Sequence, residues 1–260
     1  SSDLEPIFDD ASHGFREGRS CHTALKTIGA VWTGVKWLVD VDVVSFFDNI
    51  DHAVLLRLLE KRIGDRRFIA LIRGMLKAGY LEDWRFHRTL SGTPQGGVVS
   101  PLLANIYLHE LDEWMRGKIA AFDKGVKRAM HPDYRRVKDR ICKLRRRVEK
   151  LRASENPDPA VIQSLLDRIG RESAKSRTIP ATDALDPNYR RLRYCRYADD
   201  FLIGVTGSKA EARQMMDEVR DFLAEHLKLE VSEAKSGIRH ASDGARFLGY
   251  DICTRTNPNS

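Results

Sequence analysis

The chain has 260 residues, 42% of them hydrophobic and 31% charged, with four cysteines and a net charge of +7 at pH 7. That length buries a real core, no apolar run approaches the roughly 20 residues that span a bilayer, and cysteines at 21, 142, 195 and 253 are too scattered for a local zinc motif or a disulfide framework. A soluble protein of a reducing interior is expected, and its basic surplus is local: Asp133–Arg152 holds ten Lys and Arg against three Asp and Glu, which equals the whole excess.

No charged-then-apolar leader opens the chain. A short helix is expected around Leu4, Ile7 and Phe8, and a longer one from about Cys21. Trp37 to Val44 reads as a β-branched strand that carries Asp40 and Asp42. An unpaired carboxylate inside such a run costs several kcal/mol, on the order of 2–7, so it needs a cation or a partner. Asn49 or Asp51 then caps a helix through Val54, Leu55, Leu58 and Leu59 that ends near Gly64. A second helix uses Phe68, Leu71, Ile72 and Met75 as its inner face and stops before Gly79.

Tyr80–Leu90 alternates as a β-hairpin does, and Thr93–Gly97 is a loop whose Pro94 and glycines break regular structure and admit a base or phosphate close to backbone. Ser100 as cap and Pro101 in the first turn start a helix with positions 102, 103, 106, 107 and 111 on one face. Val137, Ile141, Leu144, Val148 and Leu151 recur at intervals of four and three, so the basic segment is a helix with a narrow apolar seam. After the Ser154–Pro159 turn, Ile162, Leu165, Leu166 and Ile169 mark a second helix, giving a helical hairpin with arginines outward, and Arg171–Asn188 reads as loop.

Leu192–Val205 sets Asp199 and Asp200 between two apolar, aromatic-rich runs. Neighbouring side chains on a flat strand point to opposite faces, so both acids serve one site only if a hairpin tip splays them around it. Alone, the pair is an ordinary acidic turn; the acid-bearing strand far upstream changes that reading. Three converging carboxylates repel one another unless divalent ions sit between them, and hard oxygen ligands beside phosphate suit magnesium. Beyond the hairpin, Ser208 caps a helix with Ala210, Met215, Met216, Val219, Phe222 and Leu223 inside, Leu227–Val231 reads as a short strand and Ala245–Ile252 as a last one.

Four blocks in order carry a family resemblance. Tyr197-Ala198-Asp199-Asp200 resembles the central motif of reverse transcriptases and Lys36–His52 their first catalytic motif. Ser91–Asn105, with Thr93-Pro94-Gln95-Gly96-Gly97, resembles the nucleotide- and template-contacting motif in the form found in group II intron-encoded proteins, and His13–Leu25 resembles the block that precedes the first catalytic strand there. The resemblance implies an α+β fold: a right-hand polymerase palm, an antiparallel sheet backed by helices, with partial fingers and an inserted helical hairpin. The palm would lie mainly in 36–52, 94–116 and 188–252, fingers-like segments in 1–35 and 53–93, and the basic insertion in 117–187. Thumb, maturase and endonuclease regions would fall outside the 260 residues.

By the same resemblance Asp42, Asp199 and Asp200 hold two Mg2+ ions, for which Mn2+ can substitute, with the Val43 carbonyl as a backbone ligand. A primer 3′-hydroxyl would attack the α-phosphate of a dNTP on an RNA template, releasing pyrophosphate. Asp40 shares a strand face with Asp42, and pattern alone leaves it open; Asp42 is preferred because the family places an aromatic five residues after the metal-binding acid, where Phe47 stands. Phe47 would exclude a 2′-hydroxyl, and the amides of Ser45, Phe46 and Phe47 would cradle the triphosphate. Gln95 resembles the nucleotide-binding glutamine, and Lys235 lies where polymerases place a candidate general acid. Phe247-Leu248-Gly249 resembles the hairpin that grips the primer end.

Arg16 and Arg19 would contact template or phosphate. The basic helix, with Arg135, Arg136, Lys143, Arg145, Arg146 and Arg147, would contact group II intron RNA. The partners implied are thus an RNA template, a DNA or RNA primer, dNTPs and intron RNA, with no membrane, in a bacterial cytoplasm or an organelle. A non-catalytic RNA-binding splicing cofactor is a competing reading, as is a retron or diversity-generating reverse transcriptase or a viral RNA polymerase. The intact acids weigh against the first, and Phe47 against a polymerase that uses NTPs.

Overall fold

The computed structural model describes residues 4–78, 80–82, 85–87, 92, 99–183 and 186–254. A 3-10 turn at Glu5–Ile7 leads to α1 (Cys21–Val31), which starts on Ser20: the Ser20 hydroxyl accepts from the Thr23 N–H while Thr23 Oγ1 accepts from the Ser20 N–H. The β-branched run forms β1 (Trp37–Val41), a single helical turn α2 (Phe46–Asn49) follows, and α3 (His52–Glu60) begins on Asp51, whose carboxylate accepts from the Val54 N–H. Next come α4 (Arg66–Ala78), the paired β2 (Tyr80–Glu82) and β3 (Arg85–His87), and the long α5 (Ser100–Phe122). Then follow α6 (Pro132–Arg152), α7 (Pro159–Ser176), β4 (Arg191–Tyr197), β5 (Asp200–Thr206), α8 (Lys209–Leu227), β6 (Gly237–His240), β7 (Ala245–Phe247) and β8 (Tyr250–Ile252).

Ser1–Asp123 and Arg190–Thr254 make one unit, whose sheet has the order β4-β5-β1-β6 with every neighbour antiparallel. Alternation divides its two faces. Val39, Val41, Phe201, Ile203 and Val205 point into a large core completed by α3, α5 and α8. Leu38 and Leu202 point the other way, into a smaller cluster with Ala24 and Ile28 of α1 and Phe247 of β7. Asp40 pairs with Leu202 and therefore lies on that second face, where the apolar cover gives way to carboxylates.

The second unit, Lys124–Tyr189, holds α6 and α7 as a helical hairpin, while residues 117–122, read from sequence as part of the insertion, continue α5 in the first unit. Val137, Val148 and Leu165 are buried in its seam, Ile141, Leu144, Leu151, Ile162 and Ile169 half-buried, and Arg140 reaches Glu172 across it at 3.5 Å. Among the described residues, no helix is long and apolar enough to cross a membrane.

Several local expectations are corrected. α4 forms where expected, but Ile69, Ile72 and Leu76 face the core, while Phe68, Leu71 and Met75 are 41%, 60% and 51% exposed. Both stripes have helical spacing, and periodicity cannot choose between them. Ser100 is the first residue of α5 rather than its cap, a position taken by Val99. Arg171–Ser176 is the last part of α7, held in the seam by Glu172, and Leu166 faces solvent. Ala212, not Ala210, turns inward from α8. Leu227 closes α8 and only Val231 makes a bridge, to Val43. Residues 245–252 fold back at Leu248 and Gly249, both at positive φ, so the last strand is a hairpin, and the sheet gains β6, which patterning did not indicate.

Candidate active site

Asp42 follows β1 directly. Val41 pairs with Phe201, so the same register carries Asp42 to a position across from Asp200. Tyr197 pairs with Asp200, which leaves Ala198 and Asp199 as a two-residue hairpin turn. Ala198 alone of the two has positive φ, +56°, the pattern of a II′ turn whose first position ordinarily goes to glycine. The expected tip therefore exists, and it presents Asp199 and Asp200 at the end of the sheet where β1 delivers Asp42.

The charges of these groups act on one another. Burial pushes the Asp200 carboxyl above the usual range and the charges of Asp199 and Asp42 push it further, against Lys235. Asp199 is raised by burial and then by Asp42. Asp40 is raised to about 6, by burial first and by Asp200 and Asp42 in addition, with Arg239 opposing. Lys235, 72% exposed at its side chain, brings Nζ to 3.5 Å from Asp42 Oδ2, a monovalent stand-in where excess negative charge calls for more. Among the described residues no group of three or more His, Cys, Asp or Glu side chains is by itself placed to hold a metal ion. The hard-oxygen set still fits magnesium, which is commonly held by one or two carboxylates together with substrate phosphate.

Backbone around Asp42 is fixed. Its N–H donates to Ser236 Oγ at 3.0 Å and its carbonyl accepts from the Ser232 N–H at 2.8 Å, while the Val44 N–H donates to Glu230. The carbonyl of Val43 is thereby turned to the opposite edge of β1, the edge on which β5 begins. Ser45 takes a left-handed conformation before α2, whose first amides have no partners within the helix. The Phe46 side chain is buried against Phe47 and Tyr107, so only its backbone is available to a ligand; the Phe47 ring is half-buried. Gly92, at φ +92°, lies on this turn so closely that a Cβ would stand 2.7 Å from the Asp48 carbonyl and 2.8 Å from that of Phe47. Pro94, Gln95, Gly96 and Gly97 lie outside the described residues.

Arg16 is buried, with Nε on Glu5 Oε1 at 2.7 Å and Nη1 on the Ser12 carbonyl at 2.8 Å, and Arg19 pairs with Asp10 at 2.7 Å. Both guanidiniums are spent on the N-terminal loop, Arg16 entirely inside it. Arg135, Arg136, Lys143, Arg145, Arg146 and Arg147 on α6 are all exposed, and Arg136 also reaches Asp133 at 3.0 Å.

A residue that patterning passed over anchors the acidic turn. Arg196 points from β4 into the large core and is wholly buried. Its Nε and Nη2 donate to the two oxygens of buried Asp112 on α5, at 2.8 and 2.6 Å, and Nη1 donates to the Ala198 carbonyl at 2.9 Å and to Asn105 Oδ1 at 3.1 Å. Asn105 Nδ2 donates in turn to the Gly14 carbonyl at 2.8 Å, and a Cβ on Gly14 would stand 2.2 Å from Ala198 N. The available signal was an arginine inside an apolar strand and an aspartate inside an apolar helix, each needing the other.

His13 belongs to the same anchor, its backbone N–H donating to the Arg196 carbonyl at 2.8 Å. Burial, then the charges of Arg19 and Arg16, lower its imidazole to about 4. A histidine depressed below its unfolded value contributes stability above the unfolded pKa, and that stability is lost as pH falls. Unfolding free energy should therefore drop by about 3 kcal/mol between pH 7 and pH 4 through this group, a slope that His13→Gln removes in urea melts across that window.

Comparison with known proteins gives the family. The family model for reverse transcriptase (RNA-dependent DNA polymerase) matches residues 2–131 and 158–252, leaving out the span of α6. The group II intron-encoded protein LtrA of Lactococcus lactis subsp. cremoris is 44% identical over 96% of this chain and 40% of its own length. The putative COX1/OXI3 intron 1 protein of Saccharomyces cerevisiae is 34% identical over 96% of the chain and 28% of its own length. Nuclear intron maturase 1, mitochondrial, of Arabidopsis thaliana is 28% identical over 97% and 39%. The chain thus spans less than half the length of these relatives. It belongs to the reverse transcriptase family, and its similarity to these intron-encoded relatives runs over nearly its whole length.

Proposed function

We propose that the chain carries an RNA-directed DNA polymerase site in which Asp42, Asp199 and Asp200, with the Val43 carbonyl, would hold two Mg2+ ions. The observation that supports this most is the mutual charge of three carboxylates brought from opposite ends of the sequence to one end of a sheet. Bound there, the ions supply positive charge against the attacking and leaving oxygens of an in-line phosphoryl transfer. The chain's own residues orient the reactants. The amides opening α2 face the triphosphate, Phe47 lies under the sugar, Gln95 contacts the nucleotide, and Lys235, close to Asp42 and exposed to solvent, hands a proton to departing pyrophosphate.

The test is primer extension on an RNA template with dNTPs and with NTPs. The unaltered chain extends with dNTPs. Phe47→Ala should narrow its preference over NTPs by about 10–100-fold, since excluding one hydroxyl by sterics is worth about 1–3 kcal/mol. No incorporation of either nucleotide by a folded chain with Mg2+ would remove the reading.

The exposed cations of α6 support intron RNA as a second partner, and with it a splicing role for the longer protein, in a bacterial cytoplasm or an organelle. Charge reversal at Arg145, Arg146 and Arg147 should weaken binding to intron RNA and flatten the dependence of log K on log salt by about two to three. An unchanged slope in filter binding would reduce the helix to a solvated surface.

A further inference from the structure

Phe15 holds a conformation that its side chain disfavours. Its φ is +56°, and its ring is 52% exposed. A bulky residue stays left-handed only when its surroundings over-determine it, and here they do. On one side Gly14 is pressed against Ala198 and tied to Asn105; on the other, the Arg16 guanidinium is buried against Glu5 and the Ser12 carbonyl. The loop is held on both flanks, to the acidic turn at Gly14 and to the N-terminal segment at Arg16, and Phe15 between them is turned outward. Its ring leans on Tyr197, centroids 6.5 Å apart and planes tilted 41°, and Tyr197 pairs with Asp200. An apolar ring is thus kept in solvent, at a strained backbone, beside the carboxylates.

We propose that Phe15 is a substrate contact, its ring stacking on the base of the primer's 3′-terminal nucleotide; this rests on the polymerase reading above. Charge selects a base over a phosphate: the ring leans on Tyr197, the strand partner of Asp200 in the acidic hairpin, while the nearby Arg16 and Arg19 are engaged with Glu5 and Asp10. A flat apolar face in such surroundings suits the face of a nucleobase. Position selects the primer terminus, because the 3′-hydroxyl must come to the acids of the turn on which Phe15 is fixed, and the base it belongs to is one sugar away.

The test is an interface cycle read by fluorescence anisotropy, with the chain as it stands and a DNA primer annealed to an RNA template, the primer ending in an ordinary or an abasic nucleotide. Phe15→Gly suits the left-handed backbone, so its melting temperature should not fall, and it removes the ring. It should weaken binding about tenfold, a typical effect for one stacked base, and Phe15→Trp should restore it. The abasic primer should weaken binding by the unaltered chain comparably and binding by Phe15→Gly hardly further, because both changes delete one contact. Losses that multiply, coupling to an abasic template position instead, or full affinity of Phe15→Gly would each overturn the proposal while leaving the polymerase reading in place. Failure of the unaltered chain to bind primed template would overturn both.

Discussion

Asp199→Asn should cut single-nucleotide incorporation on a primed RNA template by about a thousandfold or more while leaving the melting temperature unchanged or raised. The two halves of this result have one cause. Asp199 sits in a hairpin turn where burial and the charge of Asp42 hold its carboxyl above the usual range, so the folded chain disfavours the ionised form. An amide of the same shape relieves that strain and removes a hard, charged oxygen from the site. Preorganised charge at a reacting centre is typically worth about 10²–10³ for a single neutral donor, and a cation ligand should exceed it. Conservation of the melting temperature separates lost chemistry from lost structure. Incorporation at the unaltered rate, with saturating Mg2+, would sink the assignment of the site.

The second large effect lies beneath the turn. Asp112→Ala should destabilise the fold by about 3–5 kcal/mol, because it leaves the Arg196 guanidinium buried without its counter-charge, out of a total stability of about 5–15 kcal/mol. Chemical denaturation would show it, and loss of soluble protein would be the extreme form. Replacing both partners with apolar residues of similar size, Arg196→Met with Asp112→Leu, should recover part of the stability, the rest staying lost because the Tyr194 hydroxyl, Asn105 and the Ala198 carbonyl are left without these partners. It should not recover extension, since the Ala198 carbonyl and Asn105 lose the guanidinium that fixes the turn. Melting of Asp112→Ala like the unaltered chain, or full extension by the double variant, would show that the pair does not position the acids.

What could be read from sequence follows from what is local. The acids of the first strand and of the hairpin, the hairpin tip itself, the Asp51 and Ser208 caps and the α6 seam each leave a mark within a few residues, and all were legible. α4 was legible as a helix and not as a face, because its two apolar stripes are equivalent until α3 and the core choose between them. β6 was not legible, as four residues beginning with Gly237 show no alternation that their register with β1 does not supply. Arg196 and Asp112 stand 84 residues apart, and Arg16 reads as a surface cation until Glu5 folds over it. Buried polar pairs of that kind are tertiary facts.

Asp123 closes α5, and its carboxylate accepts from the Leu192 N–H at 2.8 Å and from Arg193 Nη1 at 3.2 Å. The last residue before the helical hairpin and the first residues after it are therefore stapled to each other within the sheet-bearing unit. Whatever is threaded between them behaves as a cassette: a lineage can enlarge it, trim it or trade it for another without cutting a strand. The sequence of the hairpin can thus drift freely, while the sheet that carries the three carboxylates keeps its geometry.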